Sequence, residues 1–512
     1  MQRDDFVLTT HNQLTTYTMK RILLIFTLLL TLTAATQAQV KRPKIVVGIV
    51  VDQMRWDYLY YYYDEYCSGG LKRLLREGFS CENNMINYIP TVTAIGHTSI
   101  YTGTVPSLHG IAGNTFYQNG KKVYCCEDST VTPIGSNGKA GLMSPRNCYA
   151  TTIGDMLKVA TDFKSKVIGV ALKDRAAILP AGHSADAAYW YDIEAGHFIT
   201  SSYYMNKLPK WMEKYNEKHG TTPGKDIRYK PSAITLTFDM AKAILENEKM
   251  GEGKETDMLC VSISSTDLIG HTYGTRGKEN HAAYIQLDND LADFFTLLDQ
   301  RYGRYGYLLF LSADHGAVHN PNFLEHNKIP TGSFSTSETA KALNTAMKKH
   351  FNISEALISQ VTTCQLYLNN DAIQRSNLKR HDVVQFIKQE VIKNKHVAYV
   401  VDQQHAATEP IPALLRERAI NGYNNKRSGD ILIIPQANVY PTNYKSDFKG
   451  TTHGLWNPYD AHIPLIFMGW NVQHGATARI TNITDIAATV CAMLHIQMPD
   501  ACIGEPIKEI VK

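Results

Sequence analysis

The 512-residue sequence contains nine cysteines but no CxxC pair, so zinc ribbons and fingers built on paired thiolates are excluded. It also lacks a long basic run, and 52 Lys and Arg against 48 Asp and Glu leave a formal charge of only +4. A clustered cationic footprint for nucleic acid is therefore missing. There is no internal repeat and no low-complexity block, which removes the repeat architectures. What remains is an ordinary globular composition, 44% hydrophobic and 20% charged. The chain is long enough for one large catalytic domain, or a domain carrying an insertion.

One apolar run stands apart. From Met19 the chain reads MKRILLIFTLLLTLTAATQAQ: two basic residues, an apolar stretch of signal-peptide length, then small residues ending near Ala38. The expectation is a cleaved secretory signal, with residues 1–18 an upstream extension and 39–512 the mature catalytic domain. The protein is then periplasmic or secreted, with no membrane span after cleavage. A single membrane anchor is the alternative, and no cysteine follows the run to take a lipid. Export would put the thiols in an oxidising compartment. Cys125 or Cys126 with Cys148, and Cys491 with Cys502, are the expected short-loop pairs.

Along the mature chain, short apolar runs stop abruptly at ionic residues: KIVVGIVV at Asp52, KVIGVAL at Lys173, DMLCVSISST at Asp267 and YLLFLSA at Asp314. Continuous apolar runs are what strands buried on both faces look like. The predicted fold is α/β, a three-layer sandwich with a mostly parallel central sheet and helices on both sides. Its active site should lie beyond the carboxyl ends of the strands. DILIIP (430–435) and IPLIFMG (463–469) read as further strands. Residues 318–450, with helical stretches such as SETAKALNTAMKKHF and HDVVQFIKQEVIKN, are expected to form an inserted α+β segment that partly caps the site.

The same strand ends collect metal-binding side chains. Asp267 and His271 are four apart, on one side of a helical turn. Asp314 and His315 are adjacent, so sharing an ion requires the chain to have left its strand, a turn that Gly316 suits. His453 sits in GTTHGLWNP, where glycines allow close backbone approach. Carboxylates and imidazoles without thiolate clusters fit zinc. Hydroxyls are also abundant. IPTVTAIGHTSIYTG (89–103) holds Thr91, Thr93, Thr98, Ser99, Tyr101 and Thr102, and the segment alone does not choose among them, since hydroxyls are common at helix starts.

Asp52, TVTAIGH, DxxxH, the Asp-His pair and the late THG, in that order, resemble the alkaline phosphatase superfamily, in its branch of threonine-nucleophile phosphatases and nucleotide pyrophosphatase/phosphodiesterases. The resemblance implies two zinc ions per chain, one on Asp267, His271 and His453, the other on Asp52, Asp314 and His315 with Thr93 as its hydroxyl ligand. It implies Thr93 as nucleophile, before the x-x-[GN]-H stretch that enters a helix, and gives Thr91 no role. His97 reads as a structural histidine bonded to backbone or to a neighbouring ligand. Asn114 occupies the place of an amide that donates to a phosphoryl oxygen.

Lys173 and Arg175, two apart at a strand end, resemble the pair of the PafA-type monoesterases and suit the extra charge of a monoester dianion. The expected function is an exported zinc phosphatase that hydrolyses small phosphate monoesters through a phospho-threonine intermediate. The alternatives are a phosphodiesterase of the same superfamily and a non-catalytic exported binding protein. Sulfatase chemistry is disfavoured, because TVTAIGH lacks the C/S-x-P-x-R context.

Overall fold

Apolar runs with buried β-branched residues pair in register at the centre of the molecule. In a computed structural model that describes residues 18–21 and 41–511, β1 (Ile45–Val51) lies between two parallel neighbours. β2 (Phe79–Met85), β3 (Val167–Ala171), β4 (Asp257–Ile263), β5 (Tyr307–Ser312) and β6 (Leu465–Gly469) join it. They belong to a ten-stranded sheet in which β2, β6, β5, β1, β4 and β3 are consecutive. β5, β1, β4 and β3 run parallel, while β6 is antiparallel to both β5 and β2. Every residue of β1, β3, β4, β5 and β6 is buried, as strands covered by helices on both faces must be.

The DILIIP run differs from its neighbours in the sequence. Ile431–Pro435 is a strand of a separate four-stranded antiparallel sheet, with Ile358–Thr362, Gln365–Leu368 and Val397–Asp402. That sheet and the helices Thr336–Phe351 and Arg380–Val391 enclose an apolar cluster of their own, including Leu343, Leu366, Ile387 and Ile433.

All nine cysteines are free thiols, so the expected pairs do not form. Cys491 is buried within the helix Asp485–Leu494, and the Cys148 thiol donates to the Ala150 carbonyl at 3.4 Å. Apart from residues 18–21, the expected extension and signal (1–38) lie outside the described residues. Among the described residues no helix is long and apolar enough to cross a membrane.

Candidate metal and phosphoryl site

The strand ends deliver the ionic residues to one place. Asp52 directly follows β1. Asp267 does not end a strand: β4 stops at Ile263, and α2 (Ser265–Tyr273) carries Asp267 in its first turn and His271 in its last. Asp314 and His315 follow β5. Gly316 is not in a left-handed conformation; it is needed for close approach, since a Cβ there would lie 2.2 Å from the Tyr459 carbonyl oxygen. α1 (Thr93–Thr102) starts at Thr93 itself after an extended Val92, which sets that hydroxyl at a helix N-terminus.

Two clusters result, Asp267 with His271 and His453, and Asp52 with Asp314 and His315, each with its candidate ligand atoms within 4.8 Å of one another. His271 Nε2 is 3.1 Å and His453 Nε2 3.6 Å from Asp267 Oδ1. His315 Nε2 is 3.5 Å from Asp52 Oδ1 and 3.4 Å from Asp314 Oδ2. The Thr93 hydroxyl is 3.5 Å from His315 Nε2.

The tautomers follow from what each Nδ1 faces. In all three rings it meets a backbone carbonyl: Thr451 for His271 at 2.9 Å, Gly316 for His315 at 3.0 Å and Thr91 for His453 at 2.8 Å. Nδ1 therefore carries the proton, and in the neutral ring Nε2 turns a lone pair toward carboxylate oxygens. Lone pairs facing carboxylates repel unless a cation lies between them, and a backbone-anchored Nδ1–H is how metal-binding histidines are oriented. Asp52 Oδ1 and Asp314 Oδ2 are buried without a hydrogen-bond partner, which adds to the fit with a cation.

The electrostatics agree at the Asp52 cluster, whereas at the other cluster Asp267 raises His271 against the pull of burial. Burial, then the nearby Asp314, push the Asp52 carboxyl well above its ordinary range. Burial would also raise Asp314, while the His97 contact and the charge of Lys173 pull it down. Burial lowers both His315 and His453, keeping those rings neutral. A bound cation would let the Asp52–Asp314 pair ionise together.

Lys173 Nζ lies between the clusters, 2.6 Å from Asp52 Oδ2 and 2.6 Å from Asp267 Oδ2. Arg175 instead donates to the Tyr124 hydroxyl at 3.1 Å, and its Nε is buried without a partner. Asn114 Oδ1 accepts from the Ala94 N–H at 2.8 Å, which leaves its NH2 as the donor end. His97 has both nitrogens engaged: Nδ1 with the Thr93 carbonyl at 2.9 Å and Nε2 with the Ser262 hydroxyl at 2.7 Å, while Nδ1 also lies 3.2 Å from Asp314 Oδ2. A cleft of about 290 Å³ is lined by Val92, Asn114, Tyr117, Lys122, Thr362 and Thr363.

Sequence reasoning missed Gln53, whose side-chain amide donates to Asp267 at 2.6 Å. It also missed Asp460, whose Oδ2 accepts the N–H groups of Gly454 and Leu455 at 3.1 and 2.8 Å and so holds the loop that carries His453. Neither has a motif; only their place in NPYDA and directly after Asp52 marks them.

Residues 46–456 match the family described as type I phosphodiesterase / nucleotide pyrophosphatase. A Myroides odoratus protein named calcium-transporting ATPase is 44% identical, over 93% of this chain and 96% of its own. Alkaline phosphatase PafA of Elizabethkingia meningoseptica is 44% identical over 92% and 95%. The crystal structure of wild-type alkaline phosphatase PafA matches with a TM-score of 0.88 at 43% identity, covering 92% of this chain and 100% of that one. The chain belongs to the type I phosphodiesterase / nucleotide pyrophosphatase family, and among its members it is similar to the PafA-type alkaline phosphatases.

Proposed function

We propose that the protein is a zinc-dependent phosphatase that hydrolyses small phosphate monoesters through a phospho-threonine intermediate on Thr93. The observation that carries this reading is the pair of Asp/His clusters beside the Thr93 hydroxyl, with Lys173 between them. The likeness to alkaline phosphatases supports phosphatase activity. Two zinc ions, one on Asp267, His271 and His453 and one on Asp52, Asp314 and His315, would supply Lewis-acid stabilisation of the attacking and departing oxygens.

The remaining work falls to the chain. Thr93, at the positive end of α1, loses its hydroxyl proton to solvent and attacks phosphorus; its Oγ1–P bond forms as the ester P–O bond breaks, and the departing oxygen takes a proton from solvent. The Asn114 NH2 donates to a phosphoryl oxygen, and Lys173 and Arg175 balance the charge of the dianion. Water then attacks phosphorus, releasing phosphate and restoring the threonine. The cleft lined by Tyr117 and Thr363 has room for the ester group, and residues 318–450 act as a partial cap that supplies Thr362 and Thr363 to its lining. The Met19–Ala38 segment supports export to the periplasm or medium.

Diester hydrolysis is the second reading, favoured by the family's description. Lys173 and Arg175 discriminate, because a diester carries one charge fewer. Wild type should bind about two zinc ions and favour an aryl phosphate over its methyl aryl diester in kcat/KM. The Lys173→Ala, Arg175→Ala double variant should lose roughly two to four orders of magnitude more on the monoester, at about 1.5–3 kcal/mol per charge-assisted contact. Equal losses, or a wild-type preference for the diester, would move the assignment to a phosphodiesterase.

A further inference from the structure

Two donors connect the acidic clusters. Lys173 is one, and it contacts the Oδ2 atoms of Asp52 and Asp267. The other is Gln53. Its backbone N–H donates to Asp314 Oδ1 at 3.1 Å and its side-chain Nε2 to Asp267 Oδ1 at 2.6 Å, both bonds buried. The residue is only 4% exposed.

Its backbone has φ +64, a left-handed conformation that is uncommon for a residue with a Cβ and found most often at turns and functional sites. That turn, one residue beyond Asp52, aims the N–H at one cluster and the side chain at the other. The side chain lies against Gly270, on α2 between Asp267 and His271, where a Cβ would come within 2.0 Å of Gln53 Oε1. Solvent-facing glutamines need none of this.

We propose that Gln53 is a positioning residue that sets the geometry between the two clusters, holding Asp267 through its side chain and Asp314 through its main chain. This rests on the reading of both clusters as metal sites. Asp267 Oδ1 is the oxygen facing His271 and His453, while Oδ2 belongs to Lys173. One donor on each oxygen fixes the carboxylate plane. Remove the donor on Oδ1 and the carboxylate is free to rotate away from the imidazoles. Asp314 keeps its partner whatever side chain stands at 53, because that bond comes from the backbone. The two clusters should therefore respond unequally.

The test uses the full-length protein loaded with zinc and challenged with a chromogenic chelator, the release of each ion being followed over time. In Gln53→Ala and Gln53→Gly, one of the two ions should leave about 10–100-fold faster than in wild type, with the other unchanged. Glycine adopts the left-handed backbone without strain, so it removes the amide while sparing the fold, which circular dichroism checks. Gln53→Glu keeps the shape but not the N–H donor toward an ionised Asp267, and should follow Gln53→Ala. Wild-type release of both ions from a folded Gln53→Gly protein would overturn the inference and leave the metal sites standing. So would equal acceleration of both. A wild-type chain that takes up no zinc would overturn the cluster reading itself, and this inference with it.

Discussion

Thr91 and Thr93 stand two residues apart, and the structure gives them different work. The Thr93 hydroxyl points at the Asp314–His315 cluster. The Thr91 hydroxyl donates to the Leu455 carbonyl at 2.7 Å, and its own carbonyl anchors His453. Thr93→Ala should leave the thermal midpoint and zinc content nearly unchanged while turnover falls by several orders of magnitude. Thr91→Ala should cost about 1 kcal/mol of stability with a far smaller loss of turnover, and comparable turnover losses in the two variants would reject Thr93 as nucleophile.

Asp460 supplies a pH-dependent prediction. Burial pushes its carboxyl up to about 7, against the pull of the Leu455 N–H and of Arg55, and its Oδ1 has no hydrogen-bond partner. Below that value the folded protein keeps the carboxyl protonated, whereas the unfolded chain ionises it near pH 4. Between about pH 4 and 7 the unfolded state thus binds fewer protons, so this group's contribution to stability is full below pH 4 and is lost as pH rises to 7. Asp460→Asn keeps the acceptor for both N–H groups and cannot ionise. The variant should therefore gain thermal stability relative to wild type across that window and hold a constant difference above it; a difference that does not change with pH would mean that Asp460 is ionised throughout. The spacing of Asp267 to His271 and the Asp314–His315 pair were legible in the sequence because their geometry is local. Gln53 and Asp460 were not, since what makes them matter is the partner that the fold brings opposite them.

At the scale of elements, α1 and the turn after β5 are packed at van der Waals limits. A Cβ on Gly96 would lie 2.2 Å from the Asp314 carbonyl oxygen and 2.6 Å from Asp314 Cβ. Gly96→Ala must push α1 away from that turn, at a cost of roughly 1–3 kcal/mol. The denaturation midpoint and kcat/KM should fall together, and an unchanged kcat/KM would show that α1 can shift without consequence. The strands β1, β3, β4 and β5 were readable because burial on both faces leaves an unbroken apolar run. The boundary of β4 was not: SST after Ile263 continues the polar end of a strand equally well as it starts a helix, and tertiary contact decides, with the Thr266 hydroxyl bonded to the Asp52 carbonyl at 2.6 Å. DILIIP was readable as a strand but not as a member of a second sheet, because an unbroken apolar run does not reveal which sheet buries it.

Over the whole molecule, the parallel core and the order of its motifs were visible in one dimension, while the state of the cysteines was not. Short sequence loops made Cys491 and Cys502 look paired, yet both are free thiols. The place of β6 has a further consequence. It is wedged between β5 and β2, and His453 lies between it and the entire four-stranded insertion. A chain growing from its N-terminus has Asp52 and Thr93 early, but β2 has no bridge to β5 until residue 469 has been made. The Asp267 cluster likewise stays one imidazole short until residue 453 has been made. The order of synthesis therefore makes the Asp267 cluster complete only late in the life of the chain, so any metal it takes up would be drawn from the ions available where the finished polypeptide folds.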